Sequence, residues 1–102
     1  MRRRFVIAVE GLDAKQESRF RDYINKESFG WWHWINNVWL LTTNDEAVST
    51  EEIRRHIQSL NSNARCLVFE FPEDITWSAT ATVNAKGKSM TEWLLTTWGK
   101  TD

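Results

Sequence analysis

The chain has 102 residues, 13 Lys and Arg against 14 Asp and Glu, and a formal charge of −1. That length suffices for one compact domain and is too short for two. With 41% hydrophobic residues, one Pro and four Gly, the composition is that of a folded protein and excludes a disordered, collagen-like or repetitive chain.

The near-neutral balance argues against a protein that coats duplex DNA through a large basic face, because phosphate neutralisation needs many clustered cations. It leaves room for a local anion site. The longest apolar stretch, Trp31 to Leu41, is interrupted by His33, Asn36 and Asn37, and falls far short of the roughly 20 residues that cross a bilayer. The basic start Met1-Arg2-Arg3-Arg4 leads into a strand-like run ending at Glu10 with no small-residue cleavage site, so the sequence predicts a cytoplasmic protein. Cys66 is the single cysteine, so neither an internal disulfide nor a cysteine-built zinc site can form, in keeping with a reducing compartment. Seven Trp are many for this length, and Trp is favoured where flat rings or ligands must be met.

Phe5 to Val9 is β-branched and aromatic and predicts a first strand buried on both faces, followed by a turn at Gly11. Asp13 with Gln16 forms a capping box that opens a helix reaching about Glu27, with Phe20, Tyr23 and Ile24 inward. Trp31–Ile35 and Val38–Thr43 predict a hairpin turning at Asn36-Asn37, since Asn tolerates the positive φ of tight turns. Ser49 with Glu52 forms a second capping box that opens a second helix, Val48 and Ile53 staple its entry, and Ile53, Ile57 and Leu60 recur at i, i+4, i+7. That helix ends near Asn61, and Arg65–Phe71 is a final strand closed by Pro72. The order βαββαβ predicts an α+β, ferredoxin-like domain over residues 1–73: four antiparallel strands with both helices on one face. Residues 74–102 continue the same domain as a polar arm and a short C-terminal helix, opened by a Ser89/Glu92 capping box and carrying Trp93, Leu94 and Trp98.

A turn centred between Asn36 and Asn37 sets Trp34 opposite Trp39, on one face with Trp32 and Leu41, and sets Trp31, His33, Ile35, Val38 and Leu40 on the other. One set is then core under the helices. The other is either covered in a homodimer or available to stack on nucleobases. Lys86-Gly87-Lys88-Ser89 ahead of a helix start brings two cations, a flexible backbone and free N–H groups together as a candidate phosphate site. It is not a P-loop, which needs Gly where Thr82 stands. The candidate ligand-binding residues are therefore Trp31, His33, Trp34, Trp39, Lys86, Lys88 and Ser89, with a solvated loop and an ordinary core as the alternative readings. Arg2–Arg4, Arg54 and Arg55 are either a phosphate-facing cluster or a solvated face.

Glu10 at the end of the first strand and Asp13 just beyond could ligate Mg²⁺, especially if a dimer doubles them. The competing readings are an exposed strand end and a helix cap. His33 could serve as a base or a stacking ring, and His56 borders the apolar stripe of the second helix. No Ser/His/Asp spacing and no reactive Cys66 setting marks a nucleophile.

Phe5 to Glu10, the Trp32-His33…Trp39-Leu40 hairpin and Leu67-Val68-Phe69-Glu70 together resemble the SinR-like proteins, which in turn look like the small CRISPR-associated adaptation protein family, number two of the core set. The resemblance spans about residues 4 to 73, with a looser echo in Trp93-Leu94. It implies a ferredoxin-like fold, a homodimer, and a nucleotide or nucleic-acid partner. In that family an acidic residue ends the first strand and serves a Mg²⁺-dependent nuclease in some members, while in others it is dispensable for a scaffold role. Glu10 holds that position here, where the family usually has Asp, and the long arm Asp74 to Thr91 departs from the family's compact tail.

These observations favour a non-catalytic homodimeric binder of a nucleotide or nucleic acid. A particular form is sequestration of a cyclic nucleotide signal in phage and host conflict, or antiviral defence. The alternatives are a metal-dependent endonuclease acting through Glu10, and a protein–protein interaction module.

Overall fold

A computed structural model describes residues 2–72, 76–78, 93, 94 and 98. The elements run β1 (Arg3–Glu10), α1 (Ala14–Lys26), β2 (Gly30–Ile35), β3 (Val38–Thr43), α2 (Thr50–Leu60) and β4 (Arg65–Phe71). The strands form one antiparallel sheet in the order β2-β3-β1-β4. This is the ferredoxin-like α+β arrangement. Among the described residues no helix is long and apolar enough to cross a membrane.

Both helices begin where their caps dictate. Asp13 Oδ1 accepts from Gln16 N at 2.8 Å while Asp13 N donates to Gln16 Oε1 at 3.0 Å, closing the reciprocal box that satisfies two otherwise orphaned donors. At α2 only half of the expected box forms, Ser49 Oγ accepting from Glu52 N at 3.0 Å. The β1–α1 turn uses Gly11 at φ +97°, a conformation that costs a residue with Cβ. Asn61, the C-cap of α2, donates to Gly11 O at 2.8 Å and so ties that turn to the end of the second helix.

The core lies between the helices and one sheet face. Phe5, Ile7, Trp39 and Leu41 from the sheet meet Phe20 and Ile24 of α1 and Ile53 and Ile57 of α2. Each such side chain contributes about 1.5–3 kcal/mol by leaving water, and Phe20 meets Trp39 edge to face with centroids 5.0 Å apart. β1 is not buried evenly on both faces as expected. Phe5, Ile7 and Val9 are buried toward the helices, whereas on the far face only Arg4 is buried, Val6 is half-buried and Ala8 is exposed.

The hairpin register also differs from the simple expectation. Ile35 pairs with Val38 across the Asn36-Asn37 turn, where Asn37 takes φ +71°. Trp32 then pairs with Leu40 and Trp31 with Leu41, so His33 and Trp34 together oppose the single residue Trp39. This one-residue bulge in β2 reverses the facing of everything before it. Trp31 and His33 therefore share the helix-covered face with Trp39 and Leu41, and Trp32 moves to the opposite face. There it packs with Leu94 and Trp98, alongside Val6, Val38, Leu40 and Phe71. Arg4 fastens this second cluster, its Nε donating to Trp98 O at 2.5 Å.

Candidate functional site

At the end of the sheet where β1 finishes, the β2–β3 turn and the start of α1 enclose a cavity of about 250 Å³, lined by Val9, Leu12, Glu17, Asn36, Asn37 and Trp39. Each lining residue is placed by an element already described. Val9 N donates to Asn37 O at 2.7 Å, which fixes the turn against β1. Glu17 stands in the first turn of α1, where the helix dipole favours a carboxylate. Its Oε1 lies 3.1 Å from His33 Nε2.

His33 is held on three sides. Its Nδ1 is 2.8 Å from Val38 O, and its ring lies parallel to the Trp39 indole at 3.7 Å. Because a carbonyl and a carboxylate only accept, both ring nitrogens face acceptors. His33 thus clamps Glu17 to the wall of the cavity and covers one face of Trp39. The cavity is lined by an acid and two asparagines together with Val9, Leu12 and Trp39, residue types able to accept from and donate to a flat polar edge.

The structure brings together Trp31, His33 and Trp39 from the sequence-derived candidates. Trp39 is only 1% exposed, so an open stacking platform on its ring face is corrected to a core residue that lines the cavity. Trp31 is half-buried, 5.8 Å from Trp39 by ring centroids, and its indole N–H donates to Asn25 Oδ1 at 2.9 Å. The bulge thus separates the aromatic sets predicted by regular alternation. Trp34 lies in β2, but its side chain is outside the described residues, as are Lys86, Lys88, Ser89 and the third capping box.

Of the two acids considered as Mg²⁺ ligands, Glu10 Oε1 lies 3.3 Å from Arg65 Nη1, and Asp13 caps α1. Among the described residues no group of three or more His, Cys, Asp and Glu is placed to hold an ion. The N-terminal arginines divide across the sheet. Arg3 makes a two-point pair with Glu70 at 2.8 and 2.9 Å and reaches the carbonyls of Asp45 and Val48, while Arg4 secures Trp98. The guanidinium of Arg3 holds the Glu70 carboxyl below its ordinary range.

His56 stacks on Tyr23 at 3.7 Å, and burial lowers its pKa while Glu27 opposes that change. Burial, with Glu52 and Glu27, pushes the Tyr23 phenol up to about 12. Burial likewise raises the Cys66 thiol, which therefore remains protonated and a poor nucleophile.

Sequence reasoning treated Asn36 and Asn37 only as turn residues and did not single out Glu17. The available signal was positional: an acid in a first helical turn, which is common for dipole reasons alone. No protein-family model, curated protein or solved structure matches this chain. The class defined by its own geometry is a ferredoxin-like α+β domain with a polar cavity at one end of the sheet.

Proposed function

We propose that this protein is a non-catalytic homodimer that binds a nucleotide or nucleic-acid ligand, with a nucleobase entering the cavity between β1, α1 and the β2–β3 turn. The observation that carries this reading is the lining itself: Glu17, Asn36 and Asn37 together with Val9, Leu12 and Trp39. A carboxylate suits adjacent N–H donors such as those on the pairing edge of guanine, and a carboxamide suits either a neighbouring carbonyl or an N–H. The resemblance over residues 4 to 73 supports the same partner class. Binding in place of turnover is favoured because Glu10 and Asp13, the acids at the end of β1, each hold a structural contact. Sequestration of a cyclic nucleotide is the form of this function in which affinity replaces chemistry.

Tryptophan fluorescence tests it, since Trp39 lines the cavity. Titration with guanine mononucleotides, cyclic dinucleotides, single-stranded RNA and duplex DNA should give saturable quenching with a guanine-containing ligand. Glu17→Gln should weaken that binding about tenfold or more, equivalent to about 1.4 kcal/mol. A flat response to every ligand, or quenching unchanged in both Glu17→Gln and Asn36→Ala, overturns the reading. Mg²⁺-dependent cleavage that disappears in Glu10→Ala would replace it with the endonuclease.

A further inference from the structure

The two outer strands of the sheet are unlike. β2 carries the bulge that disrupts its ladder, a recognised protection of a free edge. β4 is regular along Arg65–Phe71, and among the described residues no strand lies beyond it. It also exposes apolar side chains on the face away from the helices, Leu67 at 56% and Phe69 at 45%. A long, regular, apolar edge left open templates pairing with another strand.

We infer that a second copy of this chain docks on this edge, β4 pairing antiparallel with the partner's β4 about a twofold axis at Val68 to make one continuous eight-stranded sheet. The inference rests on the homodimeric reading proposed above and assigns its interface.

The register follows from β4 itself. A twofold perpendicular to a sheet passes through a pair of equivalent residues. Val68 is the midpoint of Arg65–Phe71, so the axis there pairs the whole strand. Leu67 then lies opposite Phe69 of the partner subunit, and the two exposed apolar side chains cover each other from both directions. No like charges meet, because Arg65 faces the partner's Phe71 and Glu70 faces the partner's Cys66. Glu70 keeps its two-point pair with Arg3 of its own chain. An axis at Leu67 or at Phe69 shortens the ladder and separates Leu67 from Phe69 of the partner subunit.

Light scattering and site-directed crosslinking of the full chain test the interface. The wild type should run at about twice 12.1 kDa, and Phe69→Lys, a change at an exposed position, should run as a monomer with unchanged far-ultraviolet dichroism. In a Cys66→Ser background, Val68→Cys should crosslink to its equivalent under mild oxidation, since directly paired Cα atoms lie about 4.5–5.5 Å apart and a disulfide spans about 4.4–6.8 Å. Leu67→Cys or Phe69→Cys alone should not crosslink, whereas a mixture of those two variants should. A wild-type monomer overturns both the interface and the homodimeric reading. A dimer that survives Phe69→Lys, or that fails to crosslink at position 68, overturns the interface and leaves the homodimer standing on another surface.

Discussion

Gly11 shows how one backbone conformation holds three parts of the chain in place. Its φ is +97°, and a Cβ there would stand 3.3 Å from Ala64 Cα, so neither the torsion nor the space suits another residue. Gly11→Ala should cost about 1–2 kcal/mol from the left-handed conformation alone, read as a lower midpoint in urea with unchanged slope. An unchanged midpoint would show that the β1–α1 turn relaxes without loss. The cavity is a residue-scale device of the same kind. Glu17 presents a carboxylate there because His33 is stacked on Trp39 and bonded to Val38 O. That contact was not legible in the sequence, since Glu17 and His33 meet only after α1 folds back across β2.

Caps were the clearest signals at the scale of elements. The Asp13/Gln16 box is local in sequence and depends on nothing distant, and the structure reproduces both bonds. Asp13→Ala should lower stability by about 1 kcal/mol, checked by thermal melting with α1 amide exchange as a local readout. A variant as stable as wild type would mean that packing of Phe20 and Ile24 suffices to fix the helix start. The β2–β3 hairpin was legible in its limits but not in its facing. Trp31-Trp32-His33-Trp34-Ile35 has aromatic or apolar side chains at both parities, so no alternation betrays where a residue is inserted. The bulge is settled by the Trp39 site instead, where the His33 ring stacks on the indole while its nitrogens reach β3 and α1.

Titration links these parts into a stability profile for the whole molecule. His56 has a lowered pKa through burial, so the unfolded chain takes up a proton first, and stability is full above about pH 6.5 and falls as pH drops through that value. The Glu70 carboxyl, held low by Arg3, adds a second loss further toward acid, below its ordinary range. Tyr23 acts at the opposite end: its phenol is raised to about 12, so stability is full below about pH 10 and declines as pH rises toward the folded value. Urea midpoints from about pH 7.5 to about pH 5.5 should fall in the wild type and flatten in His56→Phe, which keeps a ring on Tyr23. An equally steep fall in the variant would assign the acid loss to other groups.

The order βαββαβ, the two helix starts, the turn at Asn36-Asn37 and the inward residues of both helices were determined by the sequence alone, because each depends on spacing within a few residues. Only tertiary structure decided which Trp side chains are core, that Arg3 and Arg4 serve opposite faces of the sheet, that Glu10 meets Arg65, and that a polar cavity opens at the end of β1. Those outcomes depend on pairing register and on contacts between distant segments. A single inserted residue in β2 is enough to reverse the facing of the tryptophans before it without changing any local propensity.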